Sequence, residues 1–118
     1  MGRLSTHVLD THGGRPAAGV RIELWRLRPD AGAAPIVTAV TNADGRTDEP
    51  LLTGEAFRPG EYELVFDLGA YFRAQGVETA DPPFLDRVPI RFSMAEPEGH
   101  YHVPLLASPW SYSTYRGS

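Results

Sequence analysis

Apolar and polar residues exchange places at every second position in one short run after another along this chain, and turn-forming residues close each run. A period of two puts alternate side chains on opposite faces of a pleated strand, so the pattern calls for half-buried β-strands. Leu4 to Asp10 sets Leu4, Thr6 and Val8 on one face and Ser5, His7 and Leu9 on the other. Each face holds an apolar residue, which predicts cover on both sides. Asp10 to Pro16 reads as a loop by its Asp, Gly and Pro content. Val20 to Leu27 places Val20, Ile22 and Leu24 inward and Arg21, Glu23 and Trp25 outward. Ile36 to Thr41 is a short third strand, and Asn42-Ala43-Asp44-Gly45 ends it with a strong turn signal that leaves Arg46 directly behind.

Leu51-Leu52 has room for only a brief pairing. Glu61 to Leu68 is a further strand with Tyr62, Leu64, Phe66 and Leu68 on one face. Gly69 to Gly76 is the one stretch with helical character, about two turns long. Asp81-Pro82-Pro83 blocks its continuation. Val88 to Ser93 carries Pro89, which confines that strand to an edge or a strand start. With the last hairpin this makes seven or eight short strands and one helix. Turns at that spacing predict a mainly β, two-sheet sandwich in a single domain over residues 1–118.

The last nineteen residues, His100 to Ser118, read as strand, tight turn and strand. Tyr101, Val103, Leu105 and Ala107 form an apolar face that belongs on the core. His100, His102, Pro104 and Leu106 share the opposite face, which is neither plain core nor plain solvent surface. Ser108-Pro109 supplies the turn, and Trp110 to Tyr115 follows as a strand rich in aromatic and hydroxyl residues. Arg116, Gly117 and Ser118 stand at the mouth of a hairpin that already holds histidines.

Composition narrows the function classes. The 118 residues suffice to bury roughly two thirds of the unfolded chain's surface. A net charge of −4 and the lack of a basic stripe argue against nucleic acid as partner. All eleven basic residues are Arg, which excludes a Schiff-base lysine, and without Cys there is no thiolate nucleophile or disulfide. No apolar run is long enough for a membrane span and no secretory h-region is visible, so cytoplasm is the expected location. His100 and His102, two apart on a strand, have the spacing of a metal pair. No third ligand is evident, so no metal and no cofactor are expected.

The segments LSTHVLDTHGGRPAAGV, TNADGR, FLDRVPIRF and HYHVPLLASPWSYSTYRGS resemble the transthyretin-related 5-hydroxyisourate hydrolases, from near the N-terminus to the last residue. The resemblance implies a transthyretin-like sandwich, a homotetramer built as a dimer of dimers, and active sites in a channel shared between subunits. It implies ring opening of 5-hydroxyisourate in urate breakdown. The family's catalytic positions fall on His7, Arg46, His102 and Ser118, and its substrate-binding C-terminal residues on Tyr115, Arg116 and Gly117.

Those residue types suit the chemistry. Adding water to a cyclic acyl carbon needs a base, a donor for the developing oxyanion and a proton for the leaving nitrogen. Histidine titrates near neutrality, and arginine brings a permanent charge on a planar donor fork. Transthyretin itself shares the fold and carries a hormone, so a small-molecule binding protein without catalysis is the competing expectation. A docking module that uses its histidine face is a third.

Overall fold

A computed structural model describes residues 1–117; Ser118 lies outside the described residues. The chain forms a sandwich of two sheets. The elements are β1 (Arg3–Asp10), β2 (Arg15–Pro16), β3 (Arg21–Arg28), β4 (Val37–Val40), β5 (Leu52–Thr53), β6 (Gly60–Asp67), α1 (Leu68–Ala74), β7 (Arg87–Met94), β8 (His100–Ala107) and β9 (Tyr112–Thr114). One sheet runs β2-β1-β8-β9 with β5 also paired to β1; the other runs β4-β3-β6-β7.

The local patterns hold. Leu4 and Val8 of β1, Ile22 and Leu24 of β3, and Tyr62, Leu64 and Phe66 of β6 are all fully buried. The face of Tyr101, Val103, Leu105 and Ala107 is buried too, as its alternation requires. Strand β7 lies at a sheet edge, where Pro89 is tolerated. Helix α1 closes one end of the core with Tyr71 and Phe72, and the Asp67 side chain accepts from the Ala70 amide at its start.

Two details depart from expectation. The loop after β1 contains the two-residue β2, because Arg15 and Pro16 fold back on Asp10 and Leu9. The last strand is shorter than Trp110 to Tyr115. The Ser108 hydroxyl accepts from the amides of Trp110 (3.2 Å) and Ser111 (3.0 Å), which holds both residues in the turn.

Inward alternation in β3 does not stop at Leu24; it continues to Arg26, whose side chain is 5% exposed. A buried guanidinium needs acceptors. Its Nε donates to the Pro29 carbonyl at 2.7 Å, one terminal nitrogen to the Pro59 carbonyl at 3.1 Å, and the other to the Tyr62 hydroxyl. That hydroxyl in turn donates to the Arg58 carbonyl at 2.6 Å. Tyr62→Phe should therefore destabilise the fold by about 1–3 kcal/mol, since it strips acceptors and donors from buried groups. Chemical denaturation at fixed protein concentration checks this.

A second buried polar group, Asp10, accepts from the Gly13 amide at 2.7 Å and the Tyr71 hydroxyl at 2.8 Å. Burial, reinforced by that carboxylate, pushes the Tyr71 phenol up to about 12.

The feature that positions the candidate site is the pairing of β1 with β8. These strands come from opposite ends of the chain and run parallel, with Ser5 beside His102 and His7 beside Pro104.

Candidate functional site

Ser5, His7, His102 and Leu106 are half buried on the outer face of the β1–β8 sheet, opposite the core. The alternation of each strand puts these side chains on that face, and the parallel register brings the two histidine-bearing strands together.

Arg46 joins them through the turn that precedes it. Asn42 organises that turn: its side-chain oxygen accepts from the backbone amides of Asp44 (2.9 Å) and Arg46 (3.2 Å), and its backbone amide donates to the Arg46 carbonyl (2.7 Å). Gly45 has φ 75°, and a Cβ there would lie 2.3 Å from the Val8 carbonyl oxygen. Only glycine fits both the backbone conformation and the close approach. The Gly45 carbonyl accepts from the Val8 amide at 2.7 Å, and Arg46 forms an antiparallel bridge with His7. Arg46 is exposed, and no carboxylate among the described residues pairs with it.

The two rings are held differently. His7 Nε2 donates to the Asp44 carbonyl at 2.8 Å. His102 Nδ1 lies 2.8 Å from the Ser5 hydroxyl, and the His102 carbonyl accepts from the Gly117 amide at 2.7 Å. Burial, then the charge of Arg46, then His7, hold the His102 ring below the 6.5 of a free imidazole. All three favour the neutral ring.

The C-terminal residues divide. Gly117 packs on the ring of His102 so closely that a Cβ would stand 2.7 Å from His102 Cδ2. The Arg116 guanidinium instead sits 4.1 Å from the centre of the Tyr101 ring, and Tyr101 belongs to the core side of β8. Arg116 and the exposed Tyr115 line a cavity of about 130 Å³ with Ile90, Phe92 and Tyr101, away from the histidines. Ser118 lies outside the described residues.

A concave surface of about 250 Å³ is lined by Arg3, Ser5, Thr6, Arg46 and Thr47 to Pro50, with neither His7 nor His102 in its lining. A larger one, about 470 Å³, lies between β4 and Thr47 to Leu51 and takes in neither histidine nor Arg46. Volume does not decide between them. Arg46 and Ser5, the hydrogen-bond partner of His102, line the smaller and not the larger.

His100 is not part of the group: it is exposed, and its Nε2 donates to the Met1 carbonyl at 3.2 Å. His12 is also exposed and meets Trp110 edge-on at 5.8 Å between ring centres. Among the described residues no group of three or more His, Asp or Glu is placed to hold a metal ion. Reading the sequence alone missed Ser5 and Asp44 as partners of the histidines. Ser5 shares a face with His7, which was the only available signal.

The HIUase/Transthyretin family model matches residues 4–117. The chain belongs to this family. A 5-hydroxyisourate hydrolase of Pseudomonas aeruginosa is 57% identical to this family member over 118 residues, covering 100% of this chain and 93% of that one. The crystal structure of (S)-allantoin synthase superposes with a TM-score of 0.94 and 51% identity over 99% of this chain, which spans only 44% of that longer protein. Sea bream transthyretin in complex with thyroxine superposes with a TM-score of 0.83 and 37% identity, over 98% of this chain and 94% of that one. The sandwich expected from the strand pattern is therefore the transthyretin fold. Among the described residues no helix is long and apolar enough to cross a membrane.

Proposed function

We propose that this protein hydrolyses 5-hydroxyisourate to 2-oxo-4-hydroxy-4-carboxy-5-ureidoimidazoline in urate catabolism, acting in the cytoplasm through its single domain without a cofactor. The observation that carries the reading is the convergence of His7, His102 and Arg46 on one sheet face, in a chain 57% identical to a hydrolase of that name.

The two imidazoles hold a water molecule and one of them removes its proton as the water oxygen bonds to the acyl carbon. Arg46 stabilises the negative charge that develops on the acyl oxygen. When the carbon–nitrogen bond breaks, the electron pair leaves on nitrogen, which takes up a proton. The hydroxyl of Ser118 orients a histidine or the substrate. Arg116, anchored over Tyr101, and Tyr115 beside it hold the tail so that Gly117 completes the binding wall against His102.

The half-buried apolar residues beside the histidines, Leu9 and Leu106, fit a face that a second copy of the chain covers. That cover supports the homotetramer, a dimer of dimers with sites between subunits, that the family resemblance implies. Light scattering after gel filtration should give four chains per particle; a monodisperse monomer that turns over substrate at full rate would remove this part.

The test of function is ultraviolet monitoring of freshly generated substrate, in which the protein should accelerate ring opening far beyond the spontaneous rate. The similarity to thyroxine-bound transthyretin favours one competing reading, a binding protein. That reading predicts saturable binding with no acceleration. A pH profile adds a second check. The His102 ring stays neutral below 6.5, so its own protonation, followed through its ring signals, should come below that value. Stability has the same sign: the unfolded ring takes up its proton first, so the contribution is present above 6.5 and lost as pH falls through the depressed value.

A further inference from the structure

The β1–β8 register puts Ser5 directly beside His102, and Ser5 Oγ lies 2.8 Å from His102 Nδ1. In a neutral imidazole one nitrogen donates and the other accepts, so the role of Nδ1 fixes that of Nε2. Among the described residues the Ser5 hydroxyl has no other hydrogen-bond partner to receive its proton. An imine nitrogen is also a better acceptor than a hydroxyl oxygen.

We propose that Ser5 is a positioning residue, whose hydroxyl donates to Nδ1 of His102 and fixes the tautomer that carries its proton on Nε2. His102 then enters the reaction as a hydrogen-bond donor, not as the base. The complementary state is imposed on His7: a carbonyl oxygen only accepts, so the bond to Asp44 requires the His7 proton on Nε2 and leaves the lone pair on Nδ1. One ring therefore offers a lone pair and the other a proton, and the base is His7. Gly117, packed on the His102 ring, keeps that ring from turning away from Ser5.

The division of roles rests on the hydrolase reading, whereas the tautomer of His102 does not. Long-range proton–nitrogen spectra of histidine-labelled wild-type protein, at mildly alkaline pH, measure the tautomer directly, with His102→Gln identifying the signals. Nδ1 of His102 should show the shift of an unprotonated nitrogen and Nε2 that of a protonated one; the reverse overturns the proposal. Ser5→Ala should mix the tautomers and lower kcat about 10-fold with KM within about twofold, the effect of losing one orienting hydrogen bond. Ser5→Thr, which keeps the hydroxyl, should restore both. An unchanged tautomer and kcat in Ser5→Ala also overturn it. If Ser5→Ala does not fold, the wild-type spectrum and Ser5→Thr still decide. If the wild-type protein shows no hydrolysis, the functional reading fails, and the spectrum alone settles the role of Ser5.

Discussion

Arg46→Gln is expected to lower kcat on 5-hydroxyisourate about 100-fold, the typical effect of removing one well-placed donor to a developing oxyanion. The fold should barely notice. Arg46 is exposed and has no carboxylate partner among the described residues, so no ion pair is lost. The turn is held by Asn42 and by the backbone of Arg46, both of which survive the substitution. Stability should therefore change by no more than about 0.5 kcal/mol, as for other surface replacements. The variant should also move the protonation of His102 upward, because one of the charges that holds that ring neutral has gone. That shift goes only part of the way, since burial of the ring is the larger cause. Steady-state rates, the His102 ring signals across pH and a denaturation curve for the same sample check all three outcomes. Wild-type turnover with intact structure would remove Arg46 from the chemistry.

Phe66→Ala should have the opposite profile. Phe66 is fully buried in β6, between Ile22 of β3 and Val88 of β7. Truncating such a ring loses its transfer free energy and leaves a cavity, which together cost about 3–5 kcal/mol. For a domain of this size that lowers the melting temperature by roughly 10–20 °C. Catalysis per folded molecule should stay near wild type below the transition, because Phe66 belongs to the sheet that does not carry the histidines. Thermal melts and rates must be compared at one protein concentration, since assembly shifts apparent stability by mass action. A small loss of stability would mean that the core closes around the cavity.

The strands were legible in the sequence wherever alternation is strict. The two faces of β1 and the inward sets of β3, β6 and β8 follow from it, whereas the short helix was legible from the composition of Gly69 to Gly76. Alternation failed where a polar residue took an inward position. Arg26 and Asp10 are buried because carbonyls, an amide and two tyrosine hydroxyls satisfy them, and of those partners Pro59, Tyr62 and Tyr71 are remote in the chain. The two-residue strands β2 and β5 carry too few residues to show any period.

For the site, the residues themselves already said which side chains share a face: Ser5 with His7, and His102 with Leu106. Chain geometry enforces that locally, because successive strand residues must point to opposite sides. The packed sandwich decided everything that depends on neighbours. It chose the parallel pairing of β1 with β8, set Ser5 against His102, and folded the Asn42 turn so that Arg46 meets His7. Strand pairing is settled by burial of whole faces across the chain, and a local period carries no information about which face finds which.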